Sequence, residues 1–301
     1  MKNVATGINI ALTATLLATI LLSNRQPEGS SSATRELPQV IRSVNLNRSF
    51  GLAGEALPAD NDDALDRLER ELTINTYGHA NTLMAIKYSS RYFPTMERIL
   101  REERVPDDFK YLAVAESNLR NVTSPAKARG MWQFVPETAI SLGLEVNGEV
   151  DERNHLEKST RAAAIYLRRY KERFGSWTLA AAAYNMGGTA LNSDIQKQFT
   201  SNYYDLNLND ETNRYVFRII AFKEIISRPL DFGYQLDPAD YYPPLDNYRI
   251  VTVREPIPSL GEFARRYGIS YRSLKLYNPW LMSNKLTNPN RIAYEIKIPY
   301  Q

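Results

Sequence analysis

Four prolines, Pro229, Pro238, Pro243 and Pro244, stand among Asp and Tyr between Arg228 and Tyr248 and split the chain into two unlike parts. Proline fixes φ and removes a backbone donor, so this stretch resists both a helix interior and a central strand. Before it, from Asp62 to about Ser227, segments rich in Ala, Leu, Glu and Arg carry helical spacing broken by single Pro or Gly residues. After it, Tyr248 to Val253 reads as a strand, and Leu260, Phe263, Ala264 and Tyr267 repeat at i, i+3, i+4 and i+7. Leu274 and Tyr277 mark a second short helix, and Ile296-Lys297-Ile298 closes as another strand. The expected fold is mainly α, with a small βααβ module at the end. Its segments are an export segment at 1–25, a linker at 26–60, a helical domain at 61–228, a Pro-rich linker at 229–246 and the module at 247–301.

Composition removes several kinds of chemistry. The 301 residues contain no cysteine, which excludes disulfides, thiol nucleophiles and Cys-ligated metals, and the two histidines, His79 and His155, are too far apart for a local metal motif. No metal or other cofactor is expected. Lys and Arg total 37 against 34 Asp and Glu, with the charges dispersed, so no nucleic-acid surface is expected either.

Between Lys2 and Arg25 every residue is uncharged, with an apolar centre from Ile8 to Leu22. A basic start followed by such a run reads as an export segment, either a cleaved signal peptide or a retained membrane anchor. Gln26-Pro27-Glu28-Gly29 and three serines follow as a tether. The folded part is therefore expected outside the cytoplasm, in the periplasm or at an envelope membrane.

A carboxylate lies on an apolar helical face. Phe109, Leu112, Ala113 and Glu116 share one side of the segment that begins after Pro106-Asp107-Asp108. Burial disfavours the charged form, so a Glu placed there is raised towards neutrality, where it can donate and recover a proton. The same residues also fit a Glu that reaches solvent at the end of its helix.

Glu116-Ser117, then Ser124 and Gly130-Met131-Trp132-Gln133-Phe134-Val135-Pro136-Glu137-Thr138-Ala139, then Ala183-Tyr184-Asn185-Met186-Gly187 occur in that order. This set resembles the lytic transglycosylases, and Arg91-Tyr92-Phe93-Pro94, Val150 to Arg153 and Phe174 to Trp177 resemble their membrane-bound D group. The resemblance covers roughly residues 50–235. It implies a lysozyme-like (SLT) helical fold and non-hydrolytic cleavage of the β-1,4 bond between N-acetylmuramic acid and N-acetylglucosamine in peptidoglycan, leaving 1,6-anhydro ends. Glu116 would then be the catalytic residue, acid first and base second. Glu137, Glu145, Glu149 and Asp151 are other acids nearby in sequence, none selected by a pattern.

The substrate-binding residues implied are Ser117, Ser124, Met131, Gln133, Tyr184, Asn185 and Tyr215. Ser117 and Ser124 would offer hydroxyls, Ser124 polarising an acetamido group. Met131 would form a deformable wall, while Gln133 and Asn185 offer both hydrogen-bond senses. Tyr184 would stack on a sugar or steady Glu116, and Tyr215 would lie near it. Gly130 would permit close backbone approach. Trp132, Phe134 and Trp177 read as core. Lys127 departs from the small residue frequent in the family. On helix Leu156 to Phe174, Lys158, Arg161, Arg168 and Arg169 read as a solvated face.

The terminal module resembles a LysM domain, which implies a grip on peptidoglycan glycan strands. Ile257-Pro258-Ser259 and Ala293-Tyr294-Glu295 depart from the usual Gly-Asp-Thr and Pro-Gly. A lysozyme that uses water and a non-catalytic wall-binding scaffold are the other functions compatible with the residues. No protein partner is read from the sequence.

Overall fold

The computed structural model describes residues 42–300. The export segment and the first part of the expected linker lie outside them. Among the described residues no helix is long and apolar enough to cross a membrane.

Helix α1, Asp62–Tyr77, starts where the Asn61 side chain accepts from the Ala64 amide at 3.0 Å, with Asp62 and Asp63 in the first turn. Helix α2, His79–Glu102, carries Pro94 within it. A 3₁₀ turn at Asp107–Phe109 leads into α3, Lys110–Ser117, and α4 is Pro136–Ser141. Helices α5, Leu156–Phe174, and α6, Trp177–Met186, are separated by Gly175 in the left-handed region, φ 83°. Helices α7, Gly188–Gln198, and α8, Asp210–Ser227, follow. The centre of this bundle is α8, whose Tyr215, Val216, Phe217, Ile219, Ile220 and Ala221 are buried. Ala180 to Ala183 on α6 are buried too, and their small side chains let the two backbones approach.

Two parts of the reading change. Residues 43–60, expected within the linker, belong to the helical domain. Their hairpin of β1, Gly51–Leu52, and β2, Glu55–Ala56, buries Phe50, Leu52 and Leu57 in the core. The Glu55 carboxylate accepts from the amides of Trp177 and Thr178, at 2.5 and 2.9 Å, and so caps the positive end of α6. Secondly, the basic residues of α5 are not all simply solvated: Arg161 pairs with Glu102 and Glu103, and Arg168 with Glu103, bracing α5 to the end of α2.

The C-terminal module pairs β3, Tyr248–Val253, antiparallel with β4, Tyr294–Pro299. Helices α9, Leu260–Arg266, and α10, Tyr271–Tyr277, pack Leu260, Phe263, Ala264 and Leu274 beneath that pair. Val150, from the helical domain, is buried in the same core. The Asp151 amide donates to the Trp280 carbonyl at 2.9 Å, and the Met282 amide donates to the Glu149 carbonyl at 2.8 Å. Thr287 donates to the Glu149 carboxylate, Tyr294 to the Glu145 carboxylate, and Lys297 pairs with Glu157. The module is thus docked on residues 145–157. The Pro-rich stretch runs along α2, where Tyr242 donates its amide to the Lys87 carbonyl and accepts from the Ser90 hydroxyl.

Candidate active site

Helix α3 is short because Asn118 and Leu119 take left-handed backbone conformations, φ 50° and 58°, and end it. Glu116 therefore sits in the last turn, its helix anchored by buried Phe109, Leu112 and Ala113. Tyr215, 1% exposed, donates its hydroxyl to Glu116 Oε1. Burial pushes the Glu116 carboxyl up to about 7; the Tyr215 hydrogen bond opposes that rise, the charge of Glu211 adds to it and Arg218 opposes it. Burial, together with the neighbouring Glu116, keeps the Tyr215 hydroxyl protonated far above its ordinary range. Glu211, Tyr215 and Arg218 follow one another at helical spacing on α8, so one helix supplies both the hydrogen bond and the opposing charges.

The loop beside Glu116 is folded by Gly130 and Arg153. Gly130 has φ +85°, and a Cβ there would lie 1.9 Å from the Arg153 carbonyl oxygen, so only glycine fits. The buried Arg153 guanidinium donates to the carbonyls of Lys127 and Phe134, at 2.9 and 3.0 Å, and is held by Asp151. Neither Arg153 nor its clamp of the loop was assigned from the sequence, although the Val150 to Arg153 segment contributed to the resemblance.

Each expected binding residue has a definite place. Ser117 is buried, its hydroxyl 3.0 Å from the Ala113 carbonyl and 2.9 Å from that of Met131. Instead of presenting a hydroxyl to a ligand, it fastens the loop to α3. Gln133 is held at φ 49°, with Nε2 donating to the Val122 and Gly130 carbonyls. Among the described residues no donor reaches its Oε1, which leaves an acceptor on a strained residue. Tyr184 donates to the Trp132 carbonyl at 2.7 Å and packs tilted against Phe134 and edgewise against Tyr166, so it steadies the loop and makes no hydrogen bond to Glu116. Asn185 accepts from the Thr212 hydroxyl at 2.7 Å, joining α6 to α8. Ser124 accepts from the Ala128 amide at 3.1 Å in a turn whose next three residues are exposed. Met131 is buried, and it borders a cavity towards the C-terminal module. Trp132 and Phe134 are core residues, Trp132 donating its indole to Thr160.

The other acids are committed elsewhere. Asp151 holds Arg153 and Arg129, while Glu145 and Glu149 hold the C-terminal module. Glu137 is exposed in the first turn of α4. Glu211 pairs with Arg218 at 2.8 Å, which lowers its pKa. Chemically, the site offers one carboxyl that titrates near neutrality, fixed by a buried phenol beside a rigid loop.

The chain is similar to the membrane-bound lytic murein transglycosylase D of Escherichia coli K12 and that of Escherichia coli O6:H1, in each case 28% identical over 233 residues. Those matches cover 75% of this chain and 50% of the relative, so the chain spans about half the length of these curated relatives. The family described as "Transglycosylase SLT domain" matches residues 95–207, and "Soluble lytic transglycosylase C-terminal LysM-like domain" matches residues 249–301. The chain therefore carries an SLT transglycosylase domain, which contains Glu116, followed by a LysM-like domain of the soluble lytic transglycosylase type.

Proposed function

We propose that this chain is a peptidoglycan lytic transglycosylase that breaks the β-1,4 bond between N-acetylmuramic acid and N-acetylglucosamine without water. The observation that carries the reading is the Glu116 carboxyl, raised to about 7 and hydrogen-bonded by Tyr215. Near neutral pH a large fraction of Glu116 is protonated and can give its proton to the glycosidic oxygen as the C1–O4 bond breaks. The resulting carboxylate, stabilised by the Tyr215 hydroxyl, then takes the proton of the muramic 6-hydroxyl as that oxygen closes on C1. The 1,6-anhydro ring forms and Glu116 is restored to its acid form. A hydroxyl on the same sugar gains the advantage of an intramolecular attack and needs no second carboxylate to activate water. The commitment of Asp151, Glu145 and Glu149 to structural partners supports a single-carboxylate route.

Ser124, Gln133 and Asn185 are the proposed polar contacts to the strand. Ser117, Tyr184 and Tyr215 position the loop and the acid. An envelope location, with the segment before Arg25 directing export or anchoring the chain, belongs to the same proposal. Incubating purified sacculi with the protein and with Glu116→Gln tests it: release of anhydro-muropeptides by the first alone is expected. Equal release by both, or by neither, contradicts it.

A further inference from the structure

Contacts from the LysM-like module and from the loop beside Glu116 meet on one buried residue, Asp151, which is 1% exposed. Its amide donates to the Trp280 carbonyl of the module at 2.9 Å, beside the bridge that pairs Val150 with Leu281. Its carboxylate accepts from Arg153 Nε and Nη2, at 2.8 and 2.7 Å, and from Arg129 Nη1 at 3.1 Å. We infer that Asp151 is a positioning residue through which docking of the module sets the conformation of residues 122–134, and with it the rate of the reaction. The inference rests on the function proposed above.

The two arginines hold the loop at several points. Arg153 Nη1 donates to the carbonyls of Lys127 and Phe134, so one guanidinium ties together both ends of the segment 127–134. Gly130, near its middle, lies against the Arg153 carbonyl. Arg129 donates to the Thr123 hydroxyl and also reaches Met282 Sδ of the module, at 3.8 Å. Between these anchors Gln133 keeps φ 49°, a conformation that persists only where the surroundings over-determine it. Met131, two residues before, accepts from Ser117, the neighbour of Glu116.

Geometry, more than stability, is what such a cluster supplies. Against apolar packing of similar volume a buried ion pair gains little, whereas a carboxylate gripped by the planar fork of an arginine fixes the direction of that fork. A shift of Asp151 therefore turns both guanidinium groups and moves the carbonyls they hold. The remaining contacts of the module bear on the same stretch of chain: Tyr294 on Glu145, Thr287 on Glu149 and Lys297 on Glu157 bracket Asp151 from both sides. Glu116 itself is fixed from α8 by Tyr215, outside this cluster. Disturbing the cluster is thus expected to change the rate without moving the ionisation of the acid.

Two variants of the full chain test this. Lys297→Met loosens the module at a residue that touches neither Asp151 nor the loop, and Arg153→Lys keeps the charge opposite Asp151 but loses the fork. In both, hydrogen exchange of residues 122–134 should rise roughly tenfold while the core of α8 keeps its protection. On soluble glycan strands kcat should fall about tenfold in Lys297→Met and about 10²-fold in Arg153→Lys, with the midpoint of the pH profile unchanged. Loop protection or kcat kept at the wild-type value in either variant would overturn the inference, as would a loss of protection that spreads to α8 or a displaced pH midpoint. Exchange is read without turnover, so failure of this coupling and failure of the proposed activity are distinguishable.

Discussion

Tyr215, buried in the central helix α8, donates its hydroxyl to Glu116 in the last turn of α3. This single contact joins two elements 99 residues apart and fixes the only carboxyl proposed to do chemistry. Because the hydrogen bond lowers the Glu116 pKa while burial raises it, its removal has a definite sign. Tyr215→Phe should move the ionisation of Glu116 above about 7, shift the pH profile of kcat/KM in the alkaline direction, and lower kcat about 10²-fold. A pH–rate series on soluble glycan strands checks all three effects.

The raised pKa also makes Glu116 a source of instability. An unfolded Glu ionises near 4.5 and the folded one near 7, so stability falls as pH rises between those values and the deficit is complete above about 7. Glu116→Gln should therefore stabilise the protein by about 1–3 kcal/mol at pH 8 and have almost no effect at pH 4. Urea unfolding at the two pH values measures the difference.

Gly130 and Gly143 have nearly the same backbone conformation, φ +85° and +86°, but different surroundings. A Cβ on Gly130 meets the Arg153 carbonyl, whereas one on Gly143 meets nothing within 4 Å. Gly130→Ala should cost about 3 kcal/mol or more and abolish activity, and Gly143→Ala about 1 kcal/mol with activity kept. Denaturation midpoints and turnover of both variants separate steric conflict from backbone strain.

Docking of the LysM-like module also depends on pH. Burial raises the pKa of Glu157, but His155 and Lys297 outweigh that and bring it down to about 2. A carboxyl held below its unfolded value gives stability that is present above about 4.5 and lost as pH falls towards 2. Lys297→Met should increase hydrogen exchange in residues 150–157 near neutral pH, and the wild-type protein should show the same increase only in acid.

The apolar face at Phe109, Leu112 and Ala113 put Glu116 on one side of its helix, since local periodicity suffices for that, but the same spacing also fitted a Glu reaching solvent. Gly130 was similarly legible, because close approach demands glycine whatever the partner. Tyr215 came only through the family resemblance, as nothing within α8 reveals what faces it across 99 residues. The backbone-carbonyl partners of the Ser117 and Tyr184 hydroxyls were not legible for a physical reason. A hydroxyl has the same appearance in sequence whether it meets a ligand or a backbone carbonyl. The Glu55 cap on α6 and the docking of Trp280 on Asp151 are contacts between distant segments with no periodic signature. The prolines after Arg228 marked a break in pattern, but not that Tyr242 would pack along α2.

Isotope incorporation tests the central claim most directly. Sacculi digested by the full chain in H₂¹⁸O should yield muropeptides with anhydro ends, one water lighter than hydrolytic products and free of ¹⁸O at muramic C1, and Glu116→Gln should yield none. Reducing muramic ends carrying ¹⁸O would show that water is the nucleophile and would contradict the proposed closure by the 6-hydroxyl.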